Sequence, residues 1–290
     1  MTRDLSGLTR GARSAGANLR SVSQDLRSAR AQYRRHLPSP PATGLVVEVG
    51  GGQRPLPRSD IVIDKYVYDD TERAGETQLD TSRPLVVADG EQLPLADRGV
   101  EYVIAMHVLE HATDPERFAA ELSRVAPRGF VQVPSREAEL TFGWKFHPWL
   151  IDLDRERLVF EPKNDRRAPC GDLFHSEFDR SSAMRLWWMS RLDLWLHSVE
   201  WREELAVEAS STGNAEVTAH FDTDQTISAL ERMGAQGAVR GPAGSAREAL
   251  RCPLCRQGLA WRSTEAACTG CSGRFPVIAS VPLLIAEAAL

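Results

Sequence analysis

The chain has 290 residues, 42% of them hydrophobic and 26% charged, the balance of an ordinary globular protein. This excludes a disordered chain, a collagen-like chain and a disulfide-dense miniprotein, and no apolar run approaches the roughly 18 residues needed to span a bilayer. Net charge is −5; eight arginines and two aspartates give residues 1–36 a net +6, leaving −11 on the remainder, which disfavours a protein that coats nucleic acid.

The arginine-rich start has no apolar core of 7–15 residues, so no secretory signal is expected and the cytoplasm is the expected location. Leu5, Leu8, Ala12, Ala15, Leu19, Val22, Leu26, Ala29 and Tyr33 alternate three- and four-residue steps, predicting an amphipathic helical arm over 1–36. Arg13, Arg20, Arg27 and Arg34 repeat every seven residues outside that seam. The arm is expected to dock on its own domain or on a sister subunit, making a homo-oligomer. Contact of the arginine stripe with RNA or a membrane surface is the alternative. Leu37-Pro-Ser-Pro-Pro41 then stops the helix.

From residue 44 to about 235, strand-like and helix-like segments alternate. Leu45–Val49, Ile61–Ile63, Leu85–Ala88, Val100–Ala105 and Gly129–Val133 read as buried strands, and Asp114-Pro115 caps a helix with Phe118, Leu122 and Val125 on its apolar face. This pattern predicts an α/β, doubly wound, mostly parallel sheet whose ligand lies at the carboxyl ends of the strands. Glycines cluster after the first of those ends, where backbone can approach a ligand closely. Carboxylates follow the second and third, suited to ribose hydroxyls and to an adenine amino group.

Those residues carry a resemblance. Glu48-Val-Gly-Gly-Gly52, Val62-Ile-Asp-Lys65, Ala88-Asp-Gly-Glu-Gln-Leu-Pro-Leu95 and Val108-Leu-Glu-His111 resemble, in order, the motifs of class I S-adenosylmethionine (SAM)-dependent methyltransferases of the type 11 branch. The resemblance implies a Rossmann-like sheet and SAM as cofactor, with Glu48, Gly50, Gly51 and Gly52 lining the methionine and ribose portion. Asp64 and Lys65 would lie at the ribose, Asp89 and Gly90 at the adenine, and Met106 and His107 would flank the ligand. Only 14 residues separate Gly50 from Asp64, with Pro55 and Pro57 between them, so the helix that usually follows the glycine loop is expected to be short or absent.

Residues 135–200 are expected to cover the cleft. Phe142-Gly-Trp-Lys-Phe-His-Pro-Trp149 is dense in aromatics, Leu150–Phe160 reads as a hairpin turning at Asp154-Arg155, and Met184–Val199 reads as a tryptophan-rich helix. His111, His147 and His175 are the candidate catalytic bases, with hydrogen-bonded structural histidines as the alternative. Glu204–Ala209 and Ala215–His220 read as a closing antiparallel strand pair, and Thr226–Met233 as a helix.

Cys252-x-x-Cys255 and Cys268-x-x-Cys271, twelve residues apart, predict a tetrahedral structural Zn²⁺ site in a small domain over 249–290. With Phe275-Pro-Val-Ile-Ala-Ser-Val-Pro-Leu-Leu284, the module resembles the zinc-ribbon proteins that activate tRNA, rRNA and release-factor methyltransferases. Val277, Ile278 and 281–285 would then supply a docking surface. The combined expectation is a SAM-dependent methyltransferase over 44–235 acting on a small-molecule or saccharide acceptor. The alternatives are a tRNA or protein methyltransferase activated by its own ribbon, and a non-catalytic methyltransferase-like partner.

Overall fold

The computed structural model describes residues 22–52, 54–71, 79–163, 168–210 and 221–290. The first 21 residues of the expected arm, and the expected strand at 215–220, lie outside them.

The apolar runs of the first half become parallel strands because nearly every position in them is buried. β1 (Val46–Val49) lies between β2 (Ile61–Asp64) and β4 (Tyr102–Met106); β3 (Leu85–Val87) flanks β2, and β5 (Arg128–Pro134) flanks β4. Strands wetted on one face would alternate, whereas these read as continuous Val/Ile/Leu segments. Val47 and Val49 pack with the helix α2 (Pro115–Val125) in the main core, while Val46, Ile104 and Phe130 form a cluster with Tyr102. α2 starts where expected: the Asp114 carboxylate accepts from the Arg117 amide at 3.0 Å, and Pro115 occupies the first turn. Phe118 lies directly over Gly90, where a Cβ would come within 2.3 Å of the ring.

The sheet closes differently from expectation. Its sixth strand is β8 (Leu196–Arg202), antiparallel to β5 over seven pairs from Arg128↔Arg202 to Pro134↔Leu196, giving the order β3-β2-β1-β4-β5-β8. The expected helix over Met184–Val199 therefore ends early. It is α5 (Ser182–Met189), a break at Ser190-Arg191, the single turn α6 (Leu192–Trp195), and then strand. Leu196, Val199 and Trp201 are buried in a β register, and this overrides the helical spacing of the tryptophans. Within the expected closing pair, Val207–Ala209 forms β9, which runs parallel to β7 in a separate three-stranded sheet. The hairpin is as expected: β6 (Trp149–Asp154) and β7 (Arg157–Pro162) turn through Arg155 at φ 59°. α3 (Arg136–Phe142) and α4 (Gly171–Arg180) complete the cover, and α7 (Thr223–Ala235) contains the expected Thr226–Met233.

The described part of the arm, α1 (22–35), docks on its own chain. Of the apolar seam, its contact face takes in Ala29 but not Val22, Leu26 or Tyr33. Ala29, Gln32 and His36 are buried, while Val22, Leu26 and Tyr33 are about half exposed. The docked face is polar: Ser28 Oγ donates to the Ser190 carbonyl at 2.8 Å, Gln32 Nε2 donates to Asp193 at 2.6 Å, and His36 lies between Asp193 and Ser198.

The C-terminal module is a meander of β10 (Leu259–Trp261), β11 (Glu265–Cys268), β12 (Arg274–Ile278) and β13 (Val281–Pro282). It joins the main sheet at the β3 edge: Leu283 bridges Val87 in parallel, and the Leu284 amide donates to the Val87 carbonyl at 2.8 Å. Among the described residues no helix is long and apolar enough to cross a membrane.

Candidate active site and metal centres

Strand order places the predicted cofactor residues along one rim. Gly50 ends β1 at φ 72°, and a Cβ there would sit 2.6 Å from Val108 on the turn after β4, so the chain reverses tightly at this point. Gly51 packs between Val62 and the Glu48 carboxyl group, and Gly52 also has positive φ. The neighbouring strand ends carry the carboxylates in order. Asp64, 8% exposed, accepts from the Tyr66 amide at 3.0 Å. Asp89 accepts from the Glu91 amide at 2.8 Å and pairs with Lys65 Nζ at 2.6 Å, which ties the ends of β2 and β3 together. Met106 ends β4, partly buried against Val46, Ile104 and Phe130. His107, the next residue, is half exposed at φ 53°, a strained conformation for a residue with a Cβ.

No helix follows the glycine loop among the described residues, as expected from Pro55 and Pro57. Glu48 organises the loop that replaces it: its Oε2 accepts from the Leu56 amide at 2.8 Å and from Ser59 Oγ at 2.5 Å. Burial pushes the pKa of Glu48 up, against the lowering by Ser59, Leu56 and Arg83. The tight turn, the buried Asp64 and the carboxylates stand side by side at the ends of adjacent parallel strands, the edge at which such sheets bind their ligands.

Of the three candidate bases, two come together. Glu110, His111 and His147 offer ligand atoms within 4.8 Å of one another. Glu110 is fully buried. Burial opposes its charge, but His107, His111 and His147 outweigh burial and hold the carboxyl below its ordinary range. His107 Nδ1 lies 3.4 Å from Glu110 Oε1, a long contact that is an ion pair when the ring is protonated. His147, 6% exposed, has its pKa driven well below the ordinary imidazole value by burial and then by His111. Its Nδ1 meets Glu139 Oε1 at 2.5 Å, while Glu139 Oε2 accepts from Lys163 Nζ at 2.6 Å. Burial raises Glu139 to about 7 against the opposing charge of Lys163. Phe146 stacks on His111 at 5.7 Å between ring centres. His175 stands apart, its Nε2 against the Phe142 carbonyl at 3.1 Å and its ring against Phe142 and Trp144.

Sequence reasoning missed Glu139 and Lys163. One is an acidic residue on a short helix and the other a lone lysine 24 residues later. Only the fold reveals that both are buried, at 1% and 7% exposure.

The four ribbon cysteines also lie within 4.8 Å of one another, with Sγ–Sγ separations of 3.8 Å for Cys252–Cys271 and 3.3 Å for Cys255–Cys268. Bonds of ~2.3 Å in a tetrahedron place sulfurs about 3.8 Å apart, so the set fits Zn²⁺. The Gly270 and Cys271 amides donate to Cys268 Sγ at 3.2 and 3.3 Å. Burial works against the Cys268 thiolate, but these donors and the neighbouring thiols prevail and pull it down to about 7. Cys170 is an exposed free thiol.

A doubly wound α/β domain with glycines and carboxylates gathered at the ends of its parallel strands is the class that fold and site define. Residues 62–132, about a quarter of the chain, match the family profile described as "Methyltransferase domain". No curated protein sequence matches the chain. Similar solved structures include a SAM-dependent methyltransferase from Aquifex aeolicus, 18% identical, with TM-score 0.24 and coverage of 32% of this chain and 58% of that one. The YcgJ protein of Bacillus subtilis is 17% identical, with TM-score 0.27 and coverage of 38% and 51%. A chain in the complex between the Haloferax volcanii Trm112 methyltransferase activator and a methyltransferase is 15% identical, with TM-score 0.35 and coverage of 71% and 100%. The chain thus spans between half and three fifths of the length of the first two. At this level of likeness none of the three carries an argument about acceptor or partner.

Proposed function

We propose that the chain transfers a methyl group from SAM to a small-molecule or saccharide acceptor. The observation that carries this reading is the rim itself: the tight Gly50 turn, Asp64 on β2 and Asp89 on β3 lie side by side, at the strand ends of a sheet that matches the methyltransferase profile. In this reading Asp64 holds the ribose hydroxyls and Asp89, fixed by Lys65, receives the adenine amino group. SAM supplies an electrophilic methyl group. The protein's task is to align the acceptor with it and to keep water out. The aromatic cover formed by Phe142, Trp144 and Phe146 suits that exclusion. The ribbon, paired to the edge of β3, serves as a built-in second subunit.

The acidic body favours a small acceptor over RNA. So does the state of the ribbon arginines: Arg247 stacks on Trp261, Arg251 donates to the carbonyls of Glu248 and Leu250, and Arg256 reaches Glu121. Each is engaged within the chain. Calorimetric titration with SAM and S-adenosylhomocysteine tests the reading. Micromolar binding is expected, and Asp64→Ala should weaken it at least 100-fold. Undiminished affinity in that variant overturns the placement of the ribose. Absence of binding to the folded, zinc-loaded chain returns the non-catalytic partner to the front, and co-purifying RNA with steeply salt-dependent affinity returns the RNA reading.

A further inference from the structure

We propose that Glu110, His111 and His147 form a second metal centre, separate from the ribbon cysteines, which takes a first-row divalent cation beside the methyl-transfer cleft. Three features of the geometry point there. The ligand atoms of the three residues converge within 4.8 Å on one spot between the turn after β4 and the loop after α3. Bonds of ~2.0–2.1 Å require donors about 3.3 Å apart, so side-chain rotations suffice to close the set.

The second feature is Glu110. It is fully buried, neither of its carboxylate oxygens meets a well-aligned hydrogen-bond donor among the described residues, and its ion-pair neighbour is the half-exposed His107 ring at 3.4 Å. Buried carboxylates are ordinarily paired or coordinate metals, because an isolated one carries a large desolvation penalty. Nearby side chains that are certain to be cationic do not serve it: Lys163 is committed to Glu139 and the Trp144 carbonyl. A cation at the focus of Glu110, His111 and His147 supplies a permanent positive partner, which a half-exposed histidine does not.

The third feature is the outer layer. His147 Nδ1 lies 2.5 Å from Glu139 Oε1, which leaves Nε2 for the focus, and Glu139 is itself held by Lys163. Metal-binding histidines are characteristically oriented in this way, by a carboxylate on the ring nitrogen that does not ligate. For a catalytic base, a carboxylate–lysine pair this deeply buried is an elaborate support. For a ligand whose ring must not turn, it is the ordinary one. The donor set of two imidazoles and one carboxylate leaves coordination positions open and suits Zn²⁺, Fe²⁺, Mn²⁺ or Co²⁺ rather than Mg²⁺ or Ca²⁺.

Metal binding stands on these residues alone. The role of the site rests on the methyltransferase reading: an open position facing the cleft would take an acceptor hydroxyl, making the acceptor an alcohol, sugar or phenol. In that transfer the hydroxyl proton is lost to solvent, an oxygen lone pair forms the O–CH3 bond, and the C–S pair stays on sulfur as S-adenosylhomocysteine.

The test uses the full chain with its ribbon zinc in place. Titration with Co²⁺, followed by visible absorption and by metal analysis after desalting, should show one further equivalent bound. Its spectrum should show d–d bands without the intense near-ultraviolet thiolate charge transfer of a cysteine site. Glu110→Gln and His147→Ala should each lose this equivalent while keeping one zinc per chain. Glu139→Gln should weaken it by about 10- to 100-fold. A wild-type chain that keeps its ribbon zinc, binds SAM and takes no second metal overturns the proposal, whether or not the variants fold. So does a second equivalent that survives Glu110→Gln, or one that shows thiolate charge transfer. A second metal in a chain that does not bind SAM sinks the methyltransferase reading and leaves the metal centre standing.

Discussion

At the scale of single residues, the constraints are sharpest where backbone and neighbours act together. Gly50 combines φ 72° with a Cβ site 2.6 Å from Val108; Gly237 has almost the same φ, 66°, with nothing within 4 Å. Gly50→Ala therefore meets left-handed strain of roughly 1–2 kcal/mol and an overpacking cost of about 1–3 kcal/mol, whereas Gly237→Ala meets the first alone. Urea denaturation should show the Gly50 variant as the less stable of the two, and calorimetry should show its SAM affinity falling at least tenfold. Equal destabilisation of the two variants would mean that Val108 gives way and the turn is not tightly packed. The clustering of Cys252, Cys255, Cys268 and Cys271 was legible in the sequence because metal ligation demands a fixed residue type at a fixed spacing. Glu139 and Lys163 were not, because burial of a charge is a property of the fold and leaves no mark on neighbouring residues.

At the scale of elements, the parallel strands were legible because burial on both faces demands unbroken apolar runs, as in Val46–Val49 and Ile61–Ile63. Helical spacing misled where two demands coincide. Trp187, Trp188, Leu192, Trp195 and Val199 fit a helix of period 3.6, yet Leu196–Arg202 is captured by seven pairings with β5. α1 shows a related displacement. Its docked face runs through Asp25, Ser28, Ala29, Gln32 and His36, close to one residue, or about 100°, away from the apolar seam, because Asp193 and Ser198 offer hydrogen bonds there. The connection from β1 to β2 tests how an element that lost its helix is held. Glu48→Ala removes the acceptor shared by the Leu56 amide and the Ser59 hydroxyl, and should cost about 2–4 kcal/mol in chemical denaturation. Glu48→Gln keeps an acceptor and should cost less. The pH dependence follows from the raised folded pKa. Between the unfolded value of about 4.5 and the folded one, the native state holds the extra proton, so this residue's contribution falls as pH rises through that window. Glu48→Gln should flatten that slope, and an unchanged slope would assign it to another group.

At the scale of the whole molecule, the ribbon and the sheet share a core. Val281, Leu283, Leu284 and Ile285 are all at most 2% exposed; three of them, Val281, Leu283 and Ile285, pack with Val62, Leu85, Val87 and Leu230. Burying four aliphatic side chains at about 1.5–3 kcal/mol each gives an upper bound of roughly 6–12 kcal/mol, comparable to the net stability of a domain. The same segment closes the edge of β3, which would otherwise expose unpaired backbone groups. Zn²⁺ bound by the four cysteines would hold the ribbon in shape, so its loss should be felt across the whole sheet. The paired substitution Cys255→Ser and Cys268→Ser removes two ligands from the ribbon and leaves Glu110, His111 and His147 intact, which keeps the effect separate from any second metal. In calorimetry that variant should unfold at least about 10 °C below wild type, at roughly 2–4 °C per kcal/mol, and should aggregate more readily. Leu283→Asp should lower the transition comparably while retaining its zinc, because it breaks the docking rather than the metal site. If the cysteine variant loses its zinc and the main transition stays in place, the ribbon is an appendage. If both variants fall together, the cysteine module is a structural part of the main sheet.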